Sequence, residues 1–325
     1  MDIGELQVPL EGFEDVTPIP QDDGPDPVAS IAYRHNYRVA GDYLRAFQAS
    51  GETSERALAI TRLVLEYNAS HYTAWWFRRR CIFALGMDLA NELEVAEDIA
   101  GDNPKNYQAW YHRRALTERR GEPGDELAYV DQVVDEDPKN YHAWSHRQWV
   151  LQEFHMVDTE EGRQRELSVV DSLLNQDLRN NSAWNHRWFV VHSALGSAGT
   201  LSDETIKSEL SYALGHAERA PSNESPWNYV RGFFRDGGRG YSDFPEVKER
   251  VTLLQKNENG AKSPHVLSLL AEIHEKEGTE ESLNEALILL KCLRDQLDGV
   301  REKYWENRIR AVTRRLRELF SPAEA

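Results

Sequence analysis

Between Asp88 and Ala100, the apolar residues Leu89, Leu93, Ala96 and Ile99/Ala100 recur at spacings of three and four, which puts them on one face of a helix. Gly101-Asp-Asn-Pro104 stops that helix, and Asp137-Pro138 stops a second one carried by Leu127, Val130, Val133 and Val134. Asn106 and Asn140 follow the stops as N-caps, so new helices are expected to open at Tyr107 and Tyr141. Within them, the spacing groups Tyr107 with Trp110 and Arg114, and Tyr141 with Trp144 and Gln148. Short turns such as Arg120-Gly-Glu-Pro-Gly124 join the helices into hairpins, the last expected over Ser282–Leu297 and Arg301–Leu319. Residues 1–27 break the pattern. Pro9, Pro18, Pro20, Pro25 and Pro27 with Asp22, Asp23 and Asp26 cannot form a helix and read as a loosely ordered tail. The helical domain is therefore placed at 28–320, with a short tail at 321–325.

One phrase opens helix after helix. It reads Tyr72-Thr-Ala-Trp75-Trp-Phe-Arg78-Arg79, Tyr107-Gln-Ala-Trp110-Tyr-His112-Arg113-Arg114, Tyr141-His-Ala-Trp144-Ser-His146-Arg147 and Ser182-Ala-Trp184-Asn-His186-Arg187, with a worn copy at Ser225-Pro-Trp227-Asn-Tyr229. The tryptophans are 35, 34, 40 and 43 residues apart, the period of a stacked array of helical hairpins. The fold class is accordingly all-α, a superhelical, crescent-like solenoid of about seven antiparallel hairpins. Gly237-Gly238-Arg-Gly240 lacks a preceding strand and the fingerprint spacing, so it reads as a corner between hairpins rather than a phosphate loop.

Composition narrows the function classes. A net charge of −17 disfavours nucleic acid and polyanionic membrane surfaces as partners. No apolar run is long enough to span a bilayer, Met1-Asp-Ile-Gly-Glu does not resemble a secretory signal, and Cys81 and Cys292 are too few for a disulfide framework or a thiolate zinc site. A reducing cytoplasm fits. Nine tryptophans and 13 tyrosines suit repeat cores and permanent subunit interfaces.

The repeated tryptophans read as core, and the arginines three residues on as partners for carboxylates on neighbouring helices. His112, His146 and His186 sit in successive repeats about 10 Å apart by helix packing, too far for one metal centre. The turns Pro104-Lys105-Asn106-Tyr107-Gln108 and Pro138-Lys139-Asn140-Tyr141-His142 each present an ammonium, an amide and a phenol at a helix N-terminus. That arrangement suits either an anion-facing rim or simply well-capped, solvated turns.

These phrases, with Pro18-Ile-Pro-Gln-Asp-Asp-Gly-Pro-Asp-Pro27, Arg179-Asn-Asn-Ser-Ala-Trp-Asn185 and Lys303-Tyr-Trp305, resemble the protein prenyltransferase alpha-subunit family, whose repeat is N-Y-x-x-W-x-x-R-R/W. The closer likeness is to subunits serving farnesyl and type I geranylgeranyl transfer. The resemblance implies a heterodimer, inactive without its beta subunit, that moves a farnesyl or geranylgeranyl group from its diphosphate to the cysteine of a C-terminal CaaX motif, as on Ras/Rho-type GTPases. The beta subunit would hold the catalytic zinc and most of the isoprenoid pocket, and magnesium would accompany the diphosphate. By position, Lys105 would reach the diphosphate, Tyr107, Tyr141 and His142 would border donor and acceptor, and Gln108 would meet the substrate's terminal carboxylate. Asn106, Asn140 and Tyr72 would line the same rim. Two other readings stay open: a type II alpha subunit acting on Rab proteins, and a tetratricopeptide-type adaptor without catalysis.

Overall fold

The computed structural model describes residues 6–29, 31–101, 103–193, 199–235 and 238–320. Gly237, within the expected corner, and the tail at 321–325 lie outside them. The chain divides into two compact units, Met1–Phe154 and His155–Ala325. The first contains α1 (His35–Ser50), α2 (Glu55–Tyr67), α3 (Tyr72–Leu85), α4 (Leu89–Ala100), α5 (Tyr107–Arg120), α6 (Glu126–Glu136) and α7 (Tyr141–Glu153). In the second are α8 (Glu160–Gln176), α9 (Asn181–Ser193), α10 (Asp203–Arg219), α11 (Glu224–Gly232), α12 (Pro245–Gln255), α13 (Glu258–Ala261), α14 (Pro264–Glu277), α15 (Glu280–Cys292) and α16 (Glu302–Phe320). The described residues contain no strand, and no helix among them is long and apolar enough to cross a membrane.

After α1 the helices pair as α2/α3, α4/α5 and α6/α7 in the first unit, and α8/α9, α10/α11, α12/α14 and α15/α16 in the second, seven hairpins among the described residues. Helix ends follow local chemistry. Gly86 and Gly121 close α3 and α5 in the left-handed conformation, and Asn106 and Asn140 cap α5 and α7 by accepting two backbone N–H groups each.

Two devices join the hairpins besides apolar packing. The first is a shared carbonyl. The Trp75 indole donates to Ala69 O at 2.7 Å, and Asn106 Nδ2 of the next repeat donates to the same oxygen at 2.7 Å. Pro104 O takes Trp110 at 2.7 Å and Asn140 at 3.2 Å, and Leu178 O takes Trp184 and Asn223. A carbonyl has two lone pairs, and here its own tryptophan and the following cap use both. Asn140→Ala removes a buried cap and this tie together, so the expected loss is about 2 kcal/mol, read as a lowered thermal midpoint.

The second device is ionic. Glu92 on α4 receives Arg78 from α3 through two bonds of 2.7 Å and His112 Nε2 from α5 at 2.8 Å. Glu126 repeats the pattern with Arg113 at 2.7 Å and His146 at 2.6 Å. In the second unit Glu209 takes Arg187 at 2.7 and 2.8 Å, and Tyr229 Oη at 2.7 Å stands where a histidine stands elsewhere. The arginines thus meet carboxylates on neighbouring helices, as expected of an always-charged planar fork in an acidic chain. The histidines are drawn into the same buried contacts. One Trp period before Glu92 and His112 stand Ala57 and Phe77, an apolar pair, both fully buried.

The proline-rich start buries more than its composition suggests. Residues 6–29 form no helix, yet Leu6 N donates to Asn36 Oδ1 at 2.8 Å and Leu10 N to Tyr43 Oη at 3.1 Å. The Phe13 ring meets Tyr43 and Phe47 at 5.5 and 5.7 Å, and Asp15 receives Arg56 through bonds of 2.6 and 2.9 Å. Proline content reports on helix formation, not on whether an irregular segment finds a surface to lie on. Residues 21–29 remain exposed.

A candidate site on the helix-opening turns

The candidate residues fall on three helix openings of the first unit. Tyr72 opens α3, Tyr107 and Gln108 open α5, and Tyr141 and His142 open α7. Trp110 is buried at 7 % exposure while Tyr107 is 64 % exposed, so the two do not share a face as their three-residue spacing implied. A step of three turns the helix about 60° short of a full revolution, enough to take Trp110 beneath the neighbouring hairpin. Tyr107 instead lines up with Tyr111 and Arg114, four and seven residues on, and all three are exposed.

Two groupings result, with Tyr107 in both. Tyr72, Tyr107 and Gln108 border an open cavity of about 760 Å³ together with Thr73, Trp76, Arg79 and Tyr111. On the other side the Tyr107 ring stands edge-on to His142 at 4.2 Å, and Tyr141 lies 4.6 Å from His142 and 6.3 Å from Tyr107. Burial, and then the charge of Lys105, push the His142 pKa down, so this ring is neutral at neutral pH. Lys105 projects from the turn with 66 % of its side chain exposed, and its Nζ lies 2.9 Å from Asp137 Oδ2. The same ammonium holds the Asp137 carboxyl below the usual range, and the Lys139 backbone N–H adds to the effect. An ammonium beside a patch of aromatic edges can face a ligand that joins an anionic head to an apolar body.

Asn106 and Asn140 lie beneath this surface. Both are buried, with Oδ1 on cap N–H groups and Nδ2 on the preceding turn's carbonyl. Their geometry is that of supports for the turns. Trp76, Arg79, Tyr111 and Asp137 escaped the sequence reading. Trp76 and Tyr111 were accessible to it, being four residues after Tyr72 and Tyr107 on the same face, and both are exposed. Arg79 lies 4.8 Å over the Tyr111 ring. Asp137 reads in sequence only as part of a helix stop.

Among the described residues no group of three His, Cys, Asp or Glu side chains is placed to hold a metal ion. The histidines His112, His146 and His186 each turn Nε2 to a glutamate instead.

The protein prenyltransferase alpha subunit repeat is matched at residues 54–85, 89–120, 123–154 and 163–194, which frame the hairpins from α2/α3 to α8/α9. The chain is 46 % identical over 93 residues, 27 % of that protein's length, to a Solanum lycopersicum protein named protein farnesyltransferase/geranylgeranyltransferase type-1 subunit alpha. To the Dictyostelium discoideum protein of the same name it is 35 % identical over 306 residues, covering 94 % of each. Among solved structures, a chain of Candida albicans protein geranylgeranyltransferase-I complexed with GGPP superposes with a TM-score of 0.79 at 31 % identity, over 92 % of this chain and 98 % of that one. With likeness of that extent, and with hairpins in the matched frames, the chain belongs to the protein farnesyltransferase/geranylgeranyltransferase type-1 alpha-subunit family.

Proposed function

We propose that this chain works as the alpha half of a cytoplasmic CaaX protein prenyltransferase, and that Lys105 with Tyr107, Tyr141 and His142 faces the isoprenoid diphosphate while Tyr72 and Gln108 face the protein substrate. The observation that carries the reading is the ammonium of Lys105, whose charge reaches His142 of the Tyr107–His142 ring pair, on turns of a chain whose relatives are named as farnesyltransferase/geranylgeranyltransferase alpha subunits. The transfer forms a bond between the substrate's cysteine sulfur and the allylic carbon as the bond from that carbon to the diphosphate oxygen breaks. Negative charge gathers on the departing oxygens. A compact ammonium at that oxygen lowers the energy of the transition state more than that of bound donor, so it acts on kcat. The ring patch gives the isoprenoid an apolar neighbour, and neutral His142 adds no competing charge.

In this reading the zinc belongs to the beta subunit, and magnesium enters with the diphosphate. Acceptors are proteins ending in CaaX, of the Ras/Rho type. Co-expression with a type I geranylgeranyltransferase beta subunit or a farnesyltransferase beta subunit tests the whole reading. A 1:1 complex that transfers the matching isoprenoid to a CaaX peptide is expected, and neither chain alone should turn over. A stable monomer that ignores both beta subunits would favour the adaptor reading instead.

A further inference from the structure

Asp137 does two things at once. Its Oδ1 accepts the Lys139 backbone N–H at 3.1 Å, folding its own turn, and its Oδ2 meets Lys105 Nζ of the preceding turn at 2.9 Å. The first task does not need a charge. Asn68 accepts from Ser70 N at 3.1 Å and Asn103 from Lys105 N at 3.3 Å in the equivalent turns, each with an amide oxygen, while Asp177 accepts from Arg179 N at 2.9 Å with a carboxylate. An amide therefore folds this turn adequately in the same chain. What the carboxylate adds at 137 is a charged second oxygen aimed at the neighbouring turn. That oxygen is firmly placed: Asp137 N is bonded to Val133 O and Asp137 O to Asn140 N, both at 2.9 Å. The lysine is the opposite case, a long stem standing mostly in solvent.

We propose that Asp137 is a positioning residue that holds the Lys105 ammonium across the gap between the two turns, ready to receive the diphosphate oxygens. The inference rests on the diphosphate role of Lys105 given above. An ammonium has three N–H donors, so one can stay on Asp137 while two turn to the leaving group. A guided ammonium meets the developing charge without first having to be gathered from its rotamers. The arrangement also distinguishes the two lysine turns. Lys105 has a carboxylate of the following turn to direct it, and that carboxylate's other oxygen folds the turn from which Lys139 projects.

The test is a double-mutant cycle in the reconstituted heterodimer with Asp137→Asn, Lys105→Ala and both together. Asp137→Asn keeps the turn acceptor and removes the charge. It should lower kcat about 3- to 10-fold, with the KM for the CaaX peptide and the thermal midpoint unchanged. In the Lys105→Ala background it should change kcat by less than about 1.5-fold, because the group it guides is gone. Asp137→Glu should recover part of the loss. Equal fractional losses with and without Lys105 would overturn the inference, as they would place the effect in the turn. So would a tighter-bound donor at unchanged kcat, which would make Asp137 a competitor for the ammonium. A Lys105→Ala enzyme with full turnover would instead remove the diphosphate reading, and this inference with it.

Discussion

Glu92→Ala is expected to destabilise the chain by about 3–5 kcal/mol, or to prevent it from accumulating folded. Glu92 and Arg78 are almost wholly buried, and the carboxylate receives both ends of the guanidinium fork as well as the His112 ring. Burial opposes its charge, but His112 and Arg78 outweigh burial and hold its pKa below the usual carboxylate range. Burial pushes the His112 pKa down to about 4, so the imidazole is neutral, with Nε2–H on Glu92 and Nδ1 facing Arg79 Nη1 at 3.4 Å. Removing the glutamate strands a buried guanidinium and leaves an imidazole N–H without an acceptor. The chain itself supplies the control. Where Ala57 and Phe77 occupy these places the contact is apolar, so replacing Arg78, Glu92 and His112 together by Met, Ala and Phe should lose far less than Glu92→Ala alone. Urea midpoints of the purified heterodimers would compare the two. A single variant as stable as the wild type would show that the contact contributes little.

Lys105→Ala should lower kcat by about two orders of magnitude while leaving the KM for the CaaX peptide nearly unchanged. The size is that expected for removing one charged donor from a developing oxyanion. The site geometry supports the split: Lys105 neighbours Asp137 and His142, whereas Gln108 and Tyr72 border the separate cavity. Lys139→Ala, taken as the comparison, should lower kcat less than tenfold. Single-turnover rates with farnesyl and geranylgeranyl donors would show the loss in the chemical step. If the two lysine variants behaved alike, the special place of Lys105 would be lost.

The hairpins were readable because their signals are local. A stripe such as Leu89, Leu93 and Ala96, a stop at Asp137-Pro138 and a cap at Asn140 each act within a few residues; α4 and α6 begin and end, and α7 begins, within a residue or two of where those signals put them. The last hairpin was legible for the same reason. What joins the hairpins was only half legible. Arg113 needed a carboxylate, but nothing in the spacing said that Glu126 would serve it and His146 together from different helices. The site divided in the same way. Residue types at the two turns suggested an anion-facing rim, while the outward turn of Tyr107 and Tyr111 and the contact of Lys105 with Asp137 depend on how neighbouring repeats are rotated. Asn106 and Asn140 carried a signal that fitted two roles, and in the structure they cap helices and tie turns.

Ala57 and Phe77 give the array a direction of growth. Each hairpin from α4/α5 onward in the first unit offers a glutamate to the arginine before it, and the α2/α3 hairpin, with alanine there, asks for no arginine upstream. A duplicated Leu89–Gly121 block inserted after its parent would find an arginine, a carbonyl and a cap already in register. The same block placed ahead of α2 would end against an apolar pair, with its own Arg113 facing Ala57. The repeat is therefore open to lengthening from within and closed at its first hairpin.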